Sequence, residues 1–392
     1  MDRPRLRNVE RIPLSRGGEQ LVVLRDPMGI AESLAIDADL VAILDAIDGK
    51  RNPAQIRQSL LMTKSLDVPL PDLVALLADL DEAGLLEGER FKARWSDIHD
   101  AFFDADERAP QLAGVLYAED PAALSRELDE HIGALAITGD ASAVLVPHGP
   151  PAIVGHVLAQ TLPALPAADA LDFVVLLGAD HHPGLLPYTV LDKPWRTPLG
   201  VAPCESDVAA ALVRRVPWLD REAIRHRIAH SIEWALLYLQ HAWGGRVPPI
   251  VPILCGATTC ADGRAHDGVA ELATALESML DGARALVVAS AELTHAGPAY
   301  GRPLLDAAGI AAVEARDRDL LGALVRHRAR DVLVHGIDVA GQGRPSGLPV
   351  LLTLAETLAV DVRTRISAYE LAQVPGRDVG WIGLAGLVCS AA

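Results

Sequence analysis

The sequence is poor in cysteine, in aromatic residues and in long apolar runs. Four cysteines in 392 residues, without the spacing of a disulfide framework, predict reduced thiols and a cytoplasmic location. No apolar run approaches the roughly 20 residues that a membrane helix needs. The N-terminal stretch MDRPRLRNVERIP is charged and has no apolar segment behind it, unlike a secretory signal. We therefore expect neither a disulfide scaffold nor a membrane protein.

Basic residues are scarce relative to acidic ones. The 35 lysines and arginines face 52 aspartates and glutamates, which gives a formal charge of −17. A field of this sign repels nucleic acids and anionic membrane surfaces, so we expect no nucleic-acid partner and no membrane partner. Half of the residues are hydrophobic but only 4% are aromatic. The predicted core is therefore built mostly from alanine, leucine and valine.

The length of the chain suits two domains. Residues 1–95 are predicted to form a small winged-helix-like domain, in which strands such as Gln20–Arg25 precede three helices and a last short strand ends near Phe91. A polar segment, residues 96–107, is predicted to link it to residues 108–392. The small domain is slightly acidic and lacks an arginine-rich recognition helix, which argues against DNA binding.

The larger domain alternates between apolar runs and helical patterns, which is typical of an α/β protein with a mostly parallel sheet. Three apolar runs, Ser142–His148, Asp172–His182 and Ala285–His295, end in histidines. Runs this short suit strands that are buried on both faces. Loops beyond the carboxyl ends of parallel strands hold the chemistry in open α/β sheets. We therefore predict that these three loops converge on one site.

The histidines after these strands are the main chemical signal. No phosphate-binding loop, dinucleotide-binding glycine motif, serine-hydrolase elbow or HExxH motif occurs in the sequence. Imidazoles bind iron, copper and zinc, and non-haem iron oxygenases combine two histidines with a carboxylate. His148, His181 and Glu292 are candidate metal ligands of this type. His295 is a candidate catalytic acid or base beside them.

Two further histidines are candidates for the same site. His230 lies one turn from His226 in a long predicted helix, Arg221–Trp243, but the arginines beside His226 disfavour a cation there. We therefore predict that His230 alone faces the pocket, as a second catalytic residue. His182 is either a third metal ligand or an ordinary residue of the loop.

Several motifs in Arg108–Val388 resemble those of the Memo-like family, also called AmmeMemoRadiSam system protein B. The family's TPLG and VPIL are intact at Thr197–Gly200 and Val251–Leu254. Its AG-x-WYP-x-D, PHAGY, LGPSH, EHSIE and SSDFSHYG are matched in part by Ala113–Asp120, Pro147–Pro151, Leu177–His181, Ala229–Glu233 and Ser290–Gly297. The N-terminal domain, with its stretches DGKRNPAQI and LDEAGLL, resembles PqqD-like peptide-binding domains.

The resemblance implies an αβα sandwich similar to class III extradiol dioxygenases, which use non-haem iron. It also implies a metal pocket made from the PHAGY and LGPSH histidines, here His148 and His181, and a cysteine of a late R-x-CG motif. Ser346 stands at the cysteine position, and a hydroxyl is a poor ligand compared with a thiolate. The pocket is therefore metal-free, weakly binding, or completed through Glu292 or His182.

Two functional hypotheses follow. The first is a metal-dependent oxidoreductase, with iron or copper, that acts on a small molecule or on a peptide delivered by the N-terminal domain. The second is a non-catalytic binding protein that is the partner of a radical SAM protein and uses a degenerate metal pocket for recognition. His148, His181 and His295 favour the first hypothesis, and Ser346 favours the second.

Overall fold

The computed structural model describes residues 2–16, 19–182, 184–260, 263–336, 346–358, 362–374 and 379–391. The chain divides into two compact units, Met1–Ala105 and Asp106–Ala392. This division falls inside the segment 96–107 that the sequence analysis assigned to a linker. Most of that segment is helical, since the helix Glu89–Asp104 extends into it. The rings of Phe91, Trp95, His99 and Phe103 pack against one another at successive turns and stabilise this helix.

The N-terminal unit has a three-stranded antiparallel sheet followed by helices. Its elements are β1 Glu10–Arg16, β2 Glu19–Arg25, β3 Leu34–Asp37, α1 Val41–Leu44, α2 Pro53–Lys64, α3 Leu70–Glu82 and α4 Glu89–Asp104. The sheet order is β1-β2-β3. Asn52 and Gln55 form a capping box at the start of α2, and α2 and α3 bury a leucine-rich stripe between them.

The predicted strand near Phe91 is wrong. Phe91 lies in the first turn of α4, where the guanidinium of Arg7 covers its ring. Leu86 forms only an isolated bridge with Leu6. The sequence analysis does not predict strand β1. All three strands of the sheet precede the helices of this unit, and no strand follows them among the described residues up to Ala105. The pairing of β1 with β2 depends on tertiary context that a short, partly charged strand does not reveal.

The C-terminal unit contains ten strands and eight α-helices among its described residues. In chain order they are α5 Pro121–His131, β4 Ala143–Val146, α6 Pro151–Thr161, β5 Phe173–Ala179, β6 Tyr188–Val190, β7 Trp195–Thr197, β8 Gly200–Ala202, α7 Ser206–Arg215, α8 His230–Ala242, β9 Ile250–Cys255, α9 Gly268–Leu280, β10 Ala285–Ser290, β11 His295–Ala296, α10 Ala307–Val325, α11 Ala329–Gly336, α12 Leu348–Thr357, β12 Val362–Val374 and β13 Gly380–Ala391.

An eight-stranded sheet forms the centre of this unit. Its order is β11-β13-β4-β10-β5-β9-β6, with β12 paired to β13. The central strands β4, β10, β5 and β9 are parallel, and the strands at both edges are antiparallel to their neighbours. Side chains along β5 alternate between faces: Leu177 lies in a core with α12, whereas Gly178 faces α8. The predicted α/β architecture with helices on both faces is confirmed.

The predicted long helix Arg221–Trp243 is wrong. A 3-10 helix covers Ala223–Ile228, Ala229 has an extended backbone, and α8 begins at His230. The guanidinium of Arg108 accounts for this break: it donates hydrogen bonds of 3.1–3.3 Å to the carbonyls of His226, Arg227 and Ala229. A long-range contact thus overrides a continuous helical pattern. Among the described residues, no helix is both long and apolar enough to cross a membrane.

Gly178 allows α8 to pack directly on the end of β5. A Cβ atom at this position would lie 2.4 Å from Ile232 Cγ1 and 2.7 Å from Ser231 Oγ. We therefore expect Gly178→Ala to lower the free energy of unfolding by about 1–3 kcal/mol, as overpacking does. Urea unfolding followed by tryptophan fluorescence measures this change.

Gly322→Ala in α10 is the matched control for that substitution. The nearest atoms to its added Cβ belong to the flexible end of Arg326, at 3.3 Å. We expect this variant to be neutral or more stable by up to about 1 kcal/mol, because alanine favours a helix over glycine. Equal stabilities for the two variants would contradict the close packing of α8 on β5.

Candidate metal centre

Three histidine side chains meet at the carboxyl edge of the central sheet. One ring nitrogen from each of His148, His181 and His230 lies within 4.8 Å of the other two, and no other such group occurs among the described residues. The Nε2 atoms of His148 and His181 are 3.0 Å apart, and the rings of His181 and His230 stack at 4.4 Å. Nitrogens bound to one tetrahedral ion at about 2.0–2.1 Å lie roughly 3.4 Å apart. We call this group the histidine trio, and its spacing fits one metal ion.

Each histidine is placed by the end of a different element. His148 follows β4, His181 follows β5, and His230 is the first residue of α8. The first turn of α8 is held at the end of β5, because the hydroxyl of Ser231 donates to the carbonyl of Ala179 at 2.7 Å. The trio therefore depends on the packing of α8 against the sheet as well as on the strand ends.

A serine orients the ring of His148. Ser290 Oγ lies 2.8 Å from the carbonyl of Ser231, to which its hydroxyl donates, and 3.3 Å from His148 Nδ1. Because the hydroxyl hydrogen is used, the oxygen is left to accept from the Nδ1–H of His148. Nε2 then offers its lone pair toward His181. Hydrogen bonds of this kind are typical of histidines that bind metals.

Burial holds the three imidazoles in their neutral form. Loss of hydration is the largest cause in each case. It lowers the pKa of His148, and together with the neighbouring histidines it lowers the pKa of His181 to about 2 and that of His230 to about 4. Neutral imidazole is the form that binds metals. Three uncharged nitrogen ligands are therefore available at neutral pH.

Glu292 lies beside the trio and connects it to His295. Its Oε2 atom is 3.8 Å from His148 Nε2 and 3.2 Å from His295 Nε2. Burial alone would raise the pKa of this carboxyl, but the nearby His148 and His295 outweigh burial and hold the pKa of Glu292 at about 2. Ser346 Oγ lies 3.4 Å from the same oxygen, and Tyr300 packs edge-on against His295. An ionised carboxylate therefore stands between a candidate ligand and a candidate acid.

The other sequence candidates lie around this arrangement. His230 occupies the third position of the trio, where the sequence analysis placed Glu292. His182 donates its backbone N–H to Asp180 Oδ1 at 2.9 Å, and its ring is outside the trio. His226 is buried, with Nε2 bonded to the carbonyl of Thr189 at 2.9 Å, and it is also outside the trio.

A buried ion pair that the sequence analysis did not identify holds the start of α8. Glu233, in the first turn of α8, pairs with Arg108, and both side chains are fully buried. The carboxylate also accepts the hydroxyl of Tyr117 at 2.5 Å and the backbone N–H groups of Gln111 and Leu112 at 2.9 Å. Tyr117 and Glu233 both lie in motifs that carry the family resemblance. The letters of these motifs do not show that the carboxylate of Glu233 binds Arg108 and Tyr117.

Comparisons with known proteins find a family profile and relatives that match this chain. A family profile described as Memo-like protein matches residues 108–346. A MEMO1 family protein of Aquifex aeolicus is 25% identical over 287 residues, which are 73% of this chain and 74% of that protein. A MEMO1 family protein of Methanopyrus kandleri is 31% identical over 205 residues, which are 49% of this chain and 70% of that protein.

A solved structure is similar at a lower level. It is an uncharacterized protein of Escherichia coli K12, with 14% identity and a TM-score of 0.42 over 63% of this chain and 99% of that one. A similarity this low carries no conclusion about function. The sheet described above makes the C-terminal unit an α/β domain, the profile match assigns it to a recognised family, and residues 1–107 lie outside the matched range. The chain belongs to the Memo-like protein family.

Proposed function

We propose that the C-terminal unit is a metal-dependent oxidoreductase that resembles extradiol dioxygenases and holds iron or copper at the histidine trio. The observation that supports this most directly is the spacing of three neutral imidazoles beside the ionised carboxylate of Glu292. Imidazole ligands suit iron, copper and zinc. A bound iron or copper ion would supply Lewis acidity and redox chemistry.

His295 is proposed as the acid or base of this site. Its Nε2 is 3.2 Å from Glu292 Oε2, and its Nδ1 is 3.3 Å from the carbonyl of Leu293. Both ring nitrogens thus lie near oxygen atoms that hold the ring in place, and an imidazole held in this way can pass a proton to or from a substrate. Glu292 orients the ring of His295 through the contact of 3.2 Å with Nε2. His230, predicted from sequence as catalytic, is proposed as the third ligand.

The substrate is proposed to be a small molecule or a peptide. The N-terminal unit, which resembles PqqD-like domains, is proposed to supply the peptide. Its strand β1 is an outer strand of the sheet and exposes Ile12 and Leu14. An outer strand of this kind can pair with an extended peptide through its backbone.

The alternative function is a non-catalytic binding protein that is the partner of a radical SAM protein. Ser346 is the observation that favours it, because a hydroxyl stands where the resemblance implies a cysteine ligand. That hydroxyl lies 3.4 Å from Glu292 Oε2, where it donates a hydrogen bond to the carboxylate. The link to radical SAM proteins rests on the family resemblance.

Oxygen uptake tests the two functions. The protein is first loaded with Fe(II) without oxygen, and oxygen is then added and its consumption is measured. With 3,4-dihydroxybenzoate as the probe, we expect one bound iron per chain and oxygen consumption that is lost in His181→Ala. His156→Ala, which changes an exposed histidine on α6, is expected to retain both. Bound iron without oxygen consumption would support the alternative. A chain that binds no iron or copper would contradict the proposed metal site.

A further inference from the structure

The guanidinium of Arg225 joins two carboxylates near the trio. Arg225 is buried and pairs with both Asp180 and Glu222. Its Nε donates to Asp180 Oδ2 at 2.5 Å, and its Nη1 donates to the carbonyl of Leu186 at 3.2 Å. The donors of a guanidinium have a rigid planar arrangement. Bonds to three acceptors therefore hold this side chain in one orientation.

The two carboxylates bind opposite ends of the loop that follows β5. Asp180 Oδ1 accepts the backbone N–H of His182 at 2.9 Å. Glu222 accepts the backbone N–H of Leu185 at 2.9 Å and that of Leu186 at 3.3 Å. Both ends of the loop are thus held by carboxylates that share one arginine.

Glycine at position 184 allows Glu222 to come this close to the loop. A Cβ on Gly184 would lie 2.2 Å from Glu222 Oε2. Gly184 therefore leaves room for the carboxylate to reach the N–H groups of Leu185 and Leu186. The 3-10 helix that carries Arg225 and the loop after β5 are joined by side-chain bonds at several points.

His181 lies within this loop, between the Asp180 anchor and the Glu222 anchor. A ligand on a loose loop loses conformational freedom when metal binds, and this loss lowers the affinity. We propose that Arg225 is a positioning residue that fixes His181 for metal binding, acting through Asp180 and Glu222. This inference rests on the proposed metal function. It assigns a role to an arginine that the sequence analysis treated only as a charge that repels cations.

Two variants of Arg225 and a distant control test the proposal. Arg225→Met removes the shared guanidinium, and Arg225→Lys keeps a charge that can reach fewer acceptors. Arg284→Met is the control, because Arg284 pairs with Asp172 at the opposite end of β5, where both side chains are exposed. Three quantities are measured on the full chain: amide hydrogen exchange of His182, Leu185 and Leu186, affinity for Zn(II) by calorimetry, and the absorption spectrum of bound Co(II).

We expect Arg225→Met to exchange these amides at least about 10-fold faster and to bind Zn(II) about 10- to 100-fold more weakly, the range typical of residues that support metal ligands. Arg225→Lys should recover part of both losses, and Arg284→Met should change neither. The absorption spectrum of bound Co(II) should change in Arg225→Met, because the placement of His181 changes. A merely stabilising arginine would leave that spectrum as it is.

Glu222→Ala keeps the test decisive if Arg225→Met does not fold. It leaves the pair of Arg225 with Asp180 in place and should speed exchange at Leu185 and Leu186 but not at His182. Unchanged exchange, or unchanged Zn(II) affinity with faster exchange, would overturn the positioning role alone. A wild-type chain that binds no Zn(II) would overturn the metal function and the positioning role together.

Discussion

Replacing Arg108 by methionine is expected to lower the free energy of unfolding of the C-terminal unit by about 3–5 kcal/mol, the cost of leaving a buried charge without its partner. Glu233 would remain buried with only the hydroxyl of Tyr117 and two backbone N–H groups as donors. Urea unfolding followed by tryptophan fluorescence measures the loss, because five of the six tryptophans lie in this unit.

Two comparisons sharpen that prediction. Arg196→Met breaks an ion pair with Glu107 whose side chains are 52% and 28% exposed, and it should cost less than about 1 kcal/mol. The double variant Arg108→Met with Glu233→Leu should recover part of the stability, because no unpaired carboxylate is left inside. A loss below about 1 kcal/mol in Arg108→Met alone would show that the pair does not hold α8.

Replacing His148 or His181 by alanine is expected to weaken the binding of Fe(II) or Zn(II) by more than about 100-fold, beyond the effect of supporting residues. Each histidine supplies a nitrogen of the trio, and two remaining neutral ligands hold a divalent ion poorly. Calorimetry on the purified variants measures the loss, with His156→Ala as the control. Unchanged affinity in both variants would contradict a metal site at the trio.

The third ligand is decided by comparing His230→Ala with Glu292→Ala. The geometry predicts the larger loss for His230→Ala, because its ring nitrogen is within 4.8 Å of both other candidate ligand atoms. Ser346→Cys is expected to strengthen binding, since a thiolate adds charge and a soft donor. Equal affinity for Ser346→Cys and wild type would mean that residue 346 faces Glu292 without reaching the metal.

The pH dependence of metal binding follows from the same burial. Protons compete with the metal only below the pKa of each ligand. Because burial lowers the pKa of His230 to about 4 and that of His181 to about 2, affinity should persist from pH 7 to about pH 5. It should then fall as the pH drops through 4. Loss of binding near pH 6.5, the ordinary range of histidine, would indicate an exposed and loosely held trio.

The sequence by itself determined the central strands and the place of the chemistry. Short apolar runs such as Phe173–Leu177 predict buried strands, because they are too short for a helix and have no polar side chain for solvent. Parallel strands share a carboxyl edge, so His148, His181 and Glu292 could be expected near one another without a structure. They do lie at that edge, with Glu292 Oε2 3.8 Å from His148 Nε2.

Only the tertiary structure decided which side chains complete the site. His230 joins the trio because α8 begins at that residue, and the break before it depends on Arg108, whose partner Glu233 is 125 positions away. The roles of Arg225 and Gly178 likewise appear only when separate segments are packed together. Hydrophobic periodicity is a local property that a sequence displays directly. Ion pairs and close contacts between distant segments are chosen by packing, and for that reason no local pattern reveals them.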